Sequence, residues 1–342
     1  MTSVVAFCLI AAMLTAYTLL DGYDLGAAAI APLLARTRGE RSAIVESIGP
    51  FWSGNEVWLV AAGGALFALF PRAYAVSFSG FYLPFIIVLW LLMFRGIALE
   101  LRAHLPGDMW MDFWDAALSI SSALLVLLFG VALGNLVGGL ALDADGYFTG
   151  TFGSLLNLYA TAVGLLAVFA LVQHGLAYVA AHVEGALGER ALRYIGTVWW
   201  LVTIAYLGVT AATIALHRND LAGAPFATVA SAFALAALVS VGRSARLGHA
   251  MAAFWASLAF IAGLLVAAAA TMYPYLLRPH AGATGRGLTI FQAAPPPASL
   301  ALSLAVAVIG LIGVIAYSVF LRRRMPAKVS VREEGAAASP GR

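Results

Sequence analysis

Three acids stand where acids are costly. Asp21, Asp24 and Glu56 lie at the edges of, or inside, long apolar runs. An ionisable group surrounded by lipid must be compensated, so each is a functional-site hypothesis by default. In Asp21-Gly22-Tyr23-Asp24-Leu25-Gly26 the two aspartates are three apart, and a helix presents both on one face. Gly22 and Gly26, four apart, fall on a roughly opposite face and let another backbone approach closely. The pair could handle a proton or an ion. A helix-end pair near the membrane interface explains it equally well, since eight apolar residues still follow Gly26.

The second cluster is Gly49-Pro50-Phe51-Trp52-Ser53-Gly54-Asn55-Glu56-Val57-Trp58. On a helix, Trp52, Asn55 and Glu56 share a face and Ser53 neighbours Glu56. Trp52 and Trp58 fit an interfacial aromatic belt, but a carboxylate one turn into a span is harder to dismiss. A third group, Arg95 with Glu100, Arg102 and His104, fits a cytoplasmic helix end. Glu100 and His104 are four apart and can pair, and snorkelling to the headgroups accounts for the arginines. Gln173-His174 sits within a later apolar run. A lone mid-span histidine more often bonds between helices than ligates haem. Gly130 and Gly134 form another close-packing pair beside Asn135, and Asn157 opens the next run. No phosphate loop, HExxH, nucleophile elbow or paired-cysteine motif appears. The single cysteine, Cys8, sits in an apolar run and leaves no disulfide or thiolate metal site.

The elements that position these groups are membrane helices. Of 342 residues, 63% are hydrophobic and 10% charged, and the mean hydropathy is +0.94. A soluble domain is nearer 45–50% apolar and 25% charged, so the solvent for most of this chain is lipid. The fold class is all-α and polytopic. Runs at 4–34, 52–70, 78–100, 116–138, 154–181, 197–216, 225–241, 250–273 and 300–321 are each near the length a bilayer demands. The second is short, rich in glycine at Gly63 and Gly64, and closed by Pro71; a re-entrant segment there would leave eight spans. Arginines at 36, 38, 41, 95, 102, 190, 193, 243, 246 and 322–324 collect on one side if nine helices cross, whereas 139–153 holds no Lys or Arg. That favours nine spans with the N-terminus outside and the C-terminus in the cytoplasm. The opening MTSVVAFCLIAAMLTA lacks a positive n-region and reads as a retained first helix. Residues 1–324 form the helical domain, and 325–342 read as a disordered cytoplasmic tail. The net charge of +3 belongs to those loops. No basic stripe interleaved with exposed aromatics supports a nucleic-acid partner.

Taken together, these motifs resemble subunit II of the cytochrome bd-type quinol oxidases. The likeness rests on residues 21–26, Ile48 to Leu59, Ala62-Gly63-Gly64-Ala65-Leu66-Phe67-Ala68, Pro71-Arg72-Ala73-Tyr74-Ala75 and Phe78-Ser79-Gly80-Phe81-Tyr82. Echoes follow at 129–135 and at Met272-Tyr273-Pro274. It is dense over about 15–105 and collinear to about 320. The resemblance implies a terminal oxidase of the bacterial inner membrane that oxidises membrane quinol and reduces dioxygen to water. The haems, of types b and d, would lie in a partner subunit I, with none bound by this chain alone. It also implies a pseudo-symmetric heterodimer built of four-helix bundles and, where one joins, a small single-helix third subunit. In the family this subunit contributes to a cytoplasmic proton route, for which Asp21, Asp24, Ser53 and Glu56 are the candidates here. In some members it holds a structural quinone; Trp52, Asn55 and Trp58 are candidates for that or for the subunit interface. No residue of this chain is expected to be catalytic or to bind a metal. Many members carry an aspartate after the motif tryptophan where this chain has Ser53, which puts the route in doubt and makes Glu56 the nearest substitute. The rival reading is a secondary transporter binding a coupling ion at Asp21, Asp24 and Glu56. Against it, Gly63-Gly64 has no counterpart in the second half, as facing broken helices would require. A pure scaffold would make every acid a packing or capping residue.

Overall fold

The computed structural model describes residues 1–105, 107–217, 224–280, 286–324 and 328–331. The chain opens with α1 (Thr2–Leu20) and α2 (Gly22–Leu34), which follow one another through Asp21. A short polar helix, α3 (Arg38–Ile48), precedes α4 (Trp52–Leu69), α5 (Pro71–Gly80) and α6 (Tyr82–Leu101). Then come α7 (Asp108–Gly138), the single turn α8 (Phe152–Leu155), α9 (Leu158–His182) and α10 (Ala186–Leu216). The chain continues through α11 (Ala224–Arg246) and α12 (Ala250–Met272). A two-stranded antiparallel ribbon, β1 (Tyr275–Leu277) with β2 (Leu288–Thr289), leads into α13 (Ile290–Ala293) and α14 (Pro297–Arg324). The all-α polytopic expectation holds.

Eight helices among the described residues are long and apolar enough to cross a bilayer, the first being the continuous stretch Thr2–Leu34. The second expected span, α4, is not among the eight, because Ser53, Asn55 and Glu56 dilute its first turns. It is nevertheless one unbroken helix of 18 residues, about 27 Å long, and not a re-entrant hairpin. Its start bonds to Leu20 and its later residues Ala62, Ala65 and Leu69 pack with Ala6, Ile10 and Met13. It therefore runs antiparallel to α1 along most of that helix. Two helices begin earlier than the apolar runs suggested: α7 at Asp108 and α10 at Ala186. Their first turns are polar, and the ends of a helix outside the hydrocarbon need not be apolar.

The centre of the bundle is α2 against α7 and α9. Gly26 makes that contact possible: a Cβ there would lie 1.8 Å from the Leu171 carbonyl oxygen, and one on Gly175 would lie 2.1 Å from the Ala27 nitrogen. Gly130 and Gly134 do the same for α7 against α9, where Cβ atoms would meet Gly164 and Ala160 Cα at 2.7 and 2.6 Å. At the α3 end, Arg190 of α10 donates to the Leu34 carbonyl at 2.8 Å and pairs with Glu40. Burial would raise the Glu40 carboxyl, but the Arg190 hydrogen bond and the Arg36 amide hold it below its usual range. At the same end Arg41 pairs with Asp112 at 3.0 Å, and Arg102 pairs with Asp115. Of the expected tail, only 328–331 are described; Val329 bridges to Val183. The rest of the tail, like Arg218, lies outside the described residues.

Candidate functional site

Asp21 stands at the junction of α1 and α2 and makes no capping bond to the backbone. Its oxygens are used elsewhere. Arg95, from α6, donates through Nη1 to Asp21 Oδ2 at 2.9 Å and through Nη2 to Oδ1 at 2.5 Å, a fork-to-fork pair. The same guanidinium reaches Glu56 Oε1 at 3.2 Å and lies 3.9 Å from Asp24 Oδ2. Asn55 donates to Asp24 Oδ2 at 2.7 Å and to the Leu20 carbonyl at 2.9 Å. Asp21, Asp24 and Arg95 are fully buried, and Glu56 is 24% exposed at its side chain. Three carboxyls from two elements thus surround one arginine from a third.

Local sequence explains the assembly. Spacing i, i+3 puts Asp21 and Asp24 together, while from α4 Asn55 reaches Asp24 of α2 and Glu56 reaches Arg95 of α6. Gly96 lets the Trp52 ring pack against α6, since a Cβ on Gly96 would meet that ring at 3.1 Å. One guanidinium neutralises one carboxylate. The other two carboxyls require protons or a further cation, of which Arg322 is near. It donates to Tyr23 Oη at 3.0 Å, and its guanidinium lies 5.8 Å over that ring. Such a cluster can hold, accept and release protons.

The depth differs from a helix-end pair. Gly22, between the two aspartates, and Gly26, just after them, lie against Leu171, midway along α9. Arg95 does not snorkel; its side chain is fully buried. Sequence reading missed it because Arg95 sits seven residues from Arg102, which does sit near the helix end. The fact that most of α6 is apolar on both sides of Arg95 was the available signal. Ser53 is exposed and takes no part in the hydrogen bonds of the cluster. Trp52, Asn55 and Trp58 tie α4 to three different helices: Trp52 to α6, Asn55 to α2, and Trp58 to Ser318 of α14 at 3.1 Å.

Other expected contacts resolve simply. His104 Nδ1 meets the Glu100 backbone carbonyl at 2.7 Å, not its carboxylate. His174 bridges helices: Nδ1 pairs with Ser257 Oγ at 2.7 Å and Nε2 with the Leu19 carbonyl at 3.2 Å. Both ring nitrogens are therefore engaged within the protein. Among the described residues no group of three or more His, Cys, Asp or Glu is placed to hold a metal ion.

Residues 2–325 match the family model described as cytochrome bd terminal oxidase subunit II. A probable cytochrome oxidase subunit 2 of Haemophilus influenzae is 29% identical over 93% of this chain and 92% of that relative. The cytochrome bd-I ubiquinol oxidase subunit 2 of Escherichia coli is 36% identical over 59% of this chain and 55% of its own. The cytochrome bd ubiquinol oxidase subunit 2 of Bacillus subtilis is 33% identical over 63% of each. A solved chain of the bd oxidase from Geobacillus thermodenitrificans superposes with a TM-score of 0.76 at 19% identity, covering 94% of this chain and 98% of that one.

Proposed function

The chain belongs to the cytochrome bd terminal oxidase subunit II family, and from that premise we propose that it is the haem-free partner of a haem-bearing subunit I. The complex takes electrons from membrane quinol and reduces dioxygen to water. In this division of labour the partner supplies the redox chemistry. This chain supports assembly and holds protons at the cluster of Asp21, Asp24, Glu56 and Arg95. Oxygen reduction inside a membrane must draw its protons from an aqueous face, and the arginine-rich α3 end is the cytoplasmic side by the positive-inside rule.

The observation that carries this reading is three carboxyls gathered around one fully buried arginine. A scaffold needs no such excess of acid, because a buried charge without a partner costs stability. Glu56 is the member from α4, and we assign it the role that an aspartate at the position of Ser53 takes in many relatives. Trp52, Asn55 and Trp58 brace α4, and the partly exposed Trp52 is the one open to a quinone or to the partner subunit.

The test is Glu56→Gln, which keeps shape and hydrogen bonding while removing the titratable proton. Turnover per haem in the assembled oxidase is expected to fall several-fold, with Ser53→Ala doing little. Unchanged turnover in fully assembled Glu56→Gln enzyme overturns the proton role. Loss of assembled complex instead makes Glu56 a brace.

A further inference from the structure

Arg322, Arg323 and Arg324 close α14, and the first of them turns inward. Arg324 lies over Phe320 of its own helix. The Arg322 guanidinium instead lies within reach of two rings from other elements, 5.8 Å from the Tyr23 centroid and 5.6 Å from that of Phe51. Both distances suit a cation over an aromatic face. Through Nη2 it donates to Tyr23 Oη at 3.0 Å. The seat of α14 sets this reach. Trp58 Nε1 donates to Ser318 Oγ at 3.1 Å, one turn before Arg322 on the same face. Gly54 leaves room for the Tyr317 ring and the Leu321 side chain.

Tyr23 is locked where it stands. It is buried, and its ring stacks on Tyr178 at 4.2 Å with 15° between the planes. His174 and Phe254 meet it edge to face. Its hydroxyl oxygen is thus fixed out of water with two donors in range, Arg322 at 3.0 Å and Asn55 Nδ2 at 3.3 Å.

Asn55 has more acceptors than hydrogens. An amide nitrogen carries two hydrogens, yet this one faces Asp24 Oδ2 at 2.7 Å, the Leu20 carbonyl at 2.9 Å and Tyr23 Oη at 3.3 Å. With Arg322 serving Tyr23 Oη, both Asn55 hydrogens are left for Leu20 and Asp24. The consequence falls on Asp24. Among the described residues Asn55 is its only side-chain hydrogen-bond donor, since Oδ1 has no partner and Arg95 Nη2 lies 3.9 Å from Oδ2. A buried carboxylate is costly to keep as an ion without hydrogen bonds. A group that passes protons must be tolerated both with and without one, and the Asn55 bond serves the second state.

We propose that Arg322 is a positioning residue for proton transfer at the cluster: by satisfying Tyr23 Oη, it frees Asn55 to hold the Asp24 carboxylate. The inference rests on the proton role of the cluster and adds to it a residue from the far end of the chain. Arg322 acts on Asp24 only through Tyr23 and Asn55. Without it, the locked Tyr23 oxygen is buried and short of a donor, so it draws on Asn55. Asp24 then loses its hydrogen bond.

The test uses the assembled oxidase. Arg322→Gln keeps the helix end polar but is too short to reach Tyr23. Turnover per haem is expected to fall several-fold, with an enlarged slowing in D2O and an unchanged KM for quinol. Adding Tyr23→Phe removes the competing oxygen, so the double variant is expected to regain most of the lost turnover. A merely structural role predicts the opposite, because a second contact of α14 would be gone. Ser318→Ala controls for the seat of α14, and wild-type turnover is expected there. Wild-type turnover in Arg322→Gln overturns the proposal. So does a double variant as slow as Arg322→Gln, or Ser318→Ala slowed as much. If Arg322→Gln fails to assemble, repair of assembly by Tyr23→Phe supports the proposal. No repair assigns Arg322 to the seating of α14 and overturns it. Glu56→Gln measured alongside tells the two readings apart: if it is slow while Arg322→Gln is normal, the cluster keeps its role and only Arg322 loses its own.

Discussion

Arg95 reaches Asp21 with both terminal nitrogens and Glu56 with one of them, and all of its side chain is out of solvent. Removing its charge leaves acids buried without their counterion, a change that typically costs about 3–5 kcal/mol. Arg95→Gln is thus expected to lower the thermal midpoint and the yield of assembled complex sharply. Arg95→Gln with Asp21→Asn should recover part of that loss, since the largest unpaired charge goes with it. A midpoint equal to wild type in Arg95→Gln contradicts the pairing described. Arg95 also illustrates the limit of a snorkelling argument: a long side chain can reach the headgroups only if nothing nearer holds it.

Helix α2 shows what two glycines of the same motif can do differently. A Cβ on Gly26 would run into backbone, 1.8 Å from the Leu171 oxygen, whereas one on Gly22 would meet only the tip of the Leu171 side chain at 2.9 Å. Backbone cannot rotate away as a side-chain tip can. Gly26→Ala is therefore expected to force α2 and α9 apart, costing at least the roughly 1–3 kcal/mol of an overpacked core, with assembly reduced. Gly22→Ala should be tolerated. Equal assembly of both variants, judged by haem recovered with the purified complex, counts against the close contact. The small-residue spacing was legible in the sequence. Which of the two glycines carries the contact was not, because that depends on how the facing helix is rotated.

For the whole molecule, we propose from the arginine distribution that the α3 end and the C-terminal end of α14 face the cytoplasm, and 139–153 the other side. A cysteine at Thr37 should react with a membrane-impermeant maleimide only from the cytoplasmic face. The exposed native Cys8 is first replaced by alanine. Labelling at 37 from the periplasm sinks this orientation.

Composition alone determined that the chain lives in lipid, because no water-soluble fold could bury that much apolar surface. Periodicity and length then gave the helices, and the spacing of Asp21, Asp24, Asn55 and Glu56 gave shared faces. Such reasoning is local, reaching a few turns along one helix. Contacts across 74 residues, as between Arg95 and Asp21, depend on how helices rotate and slide against one another. The tertiary structure decided that Arg95 belongs to the cluster, that Ser53 points away from it, and that the acids lie at mid-bundle. Each of those outcomes follows from where glycines let backbones meet, and that meeting fixes the register.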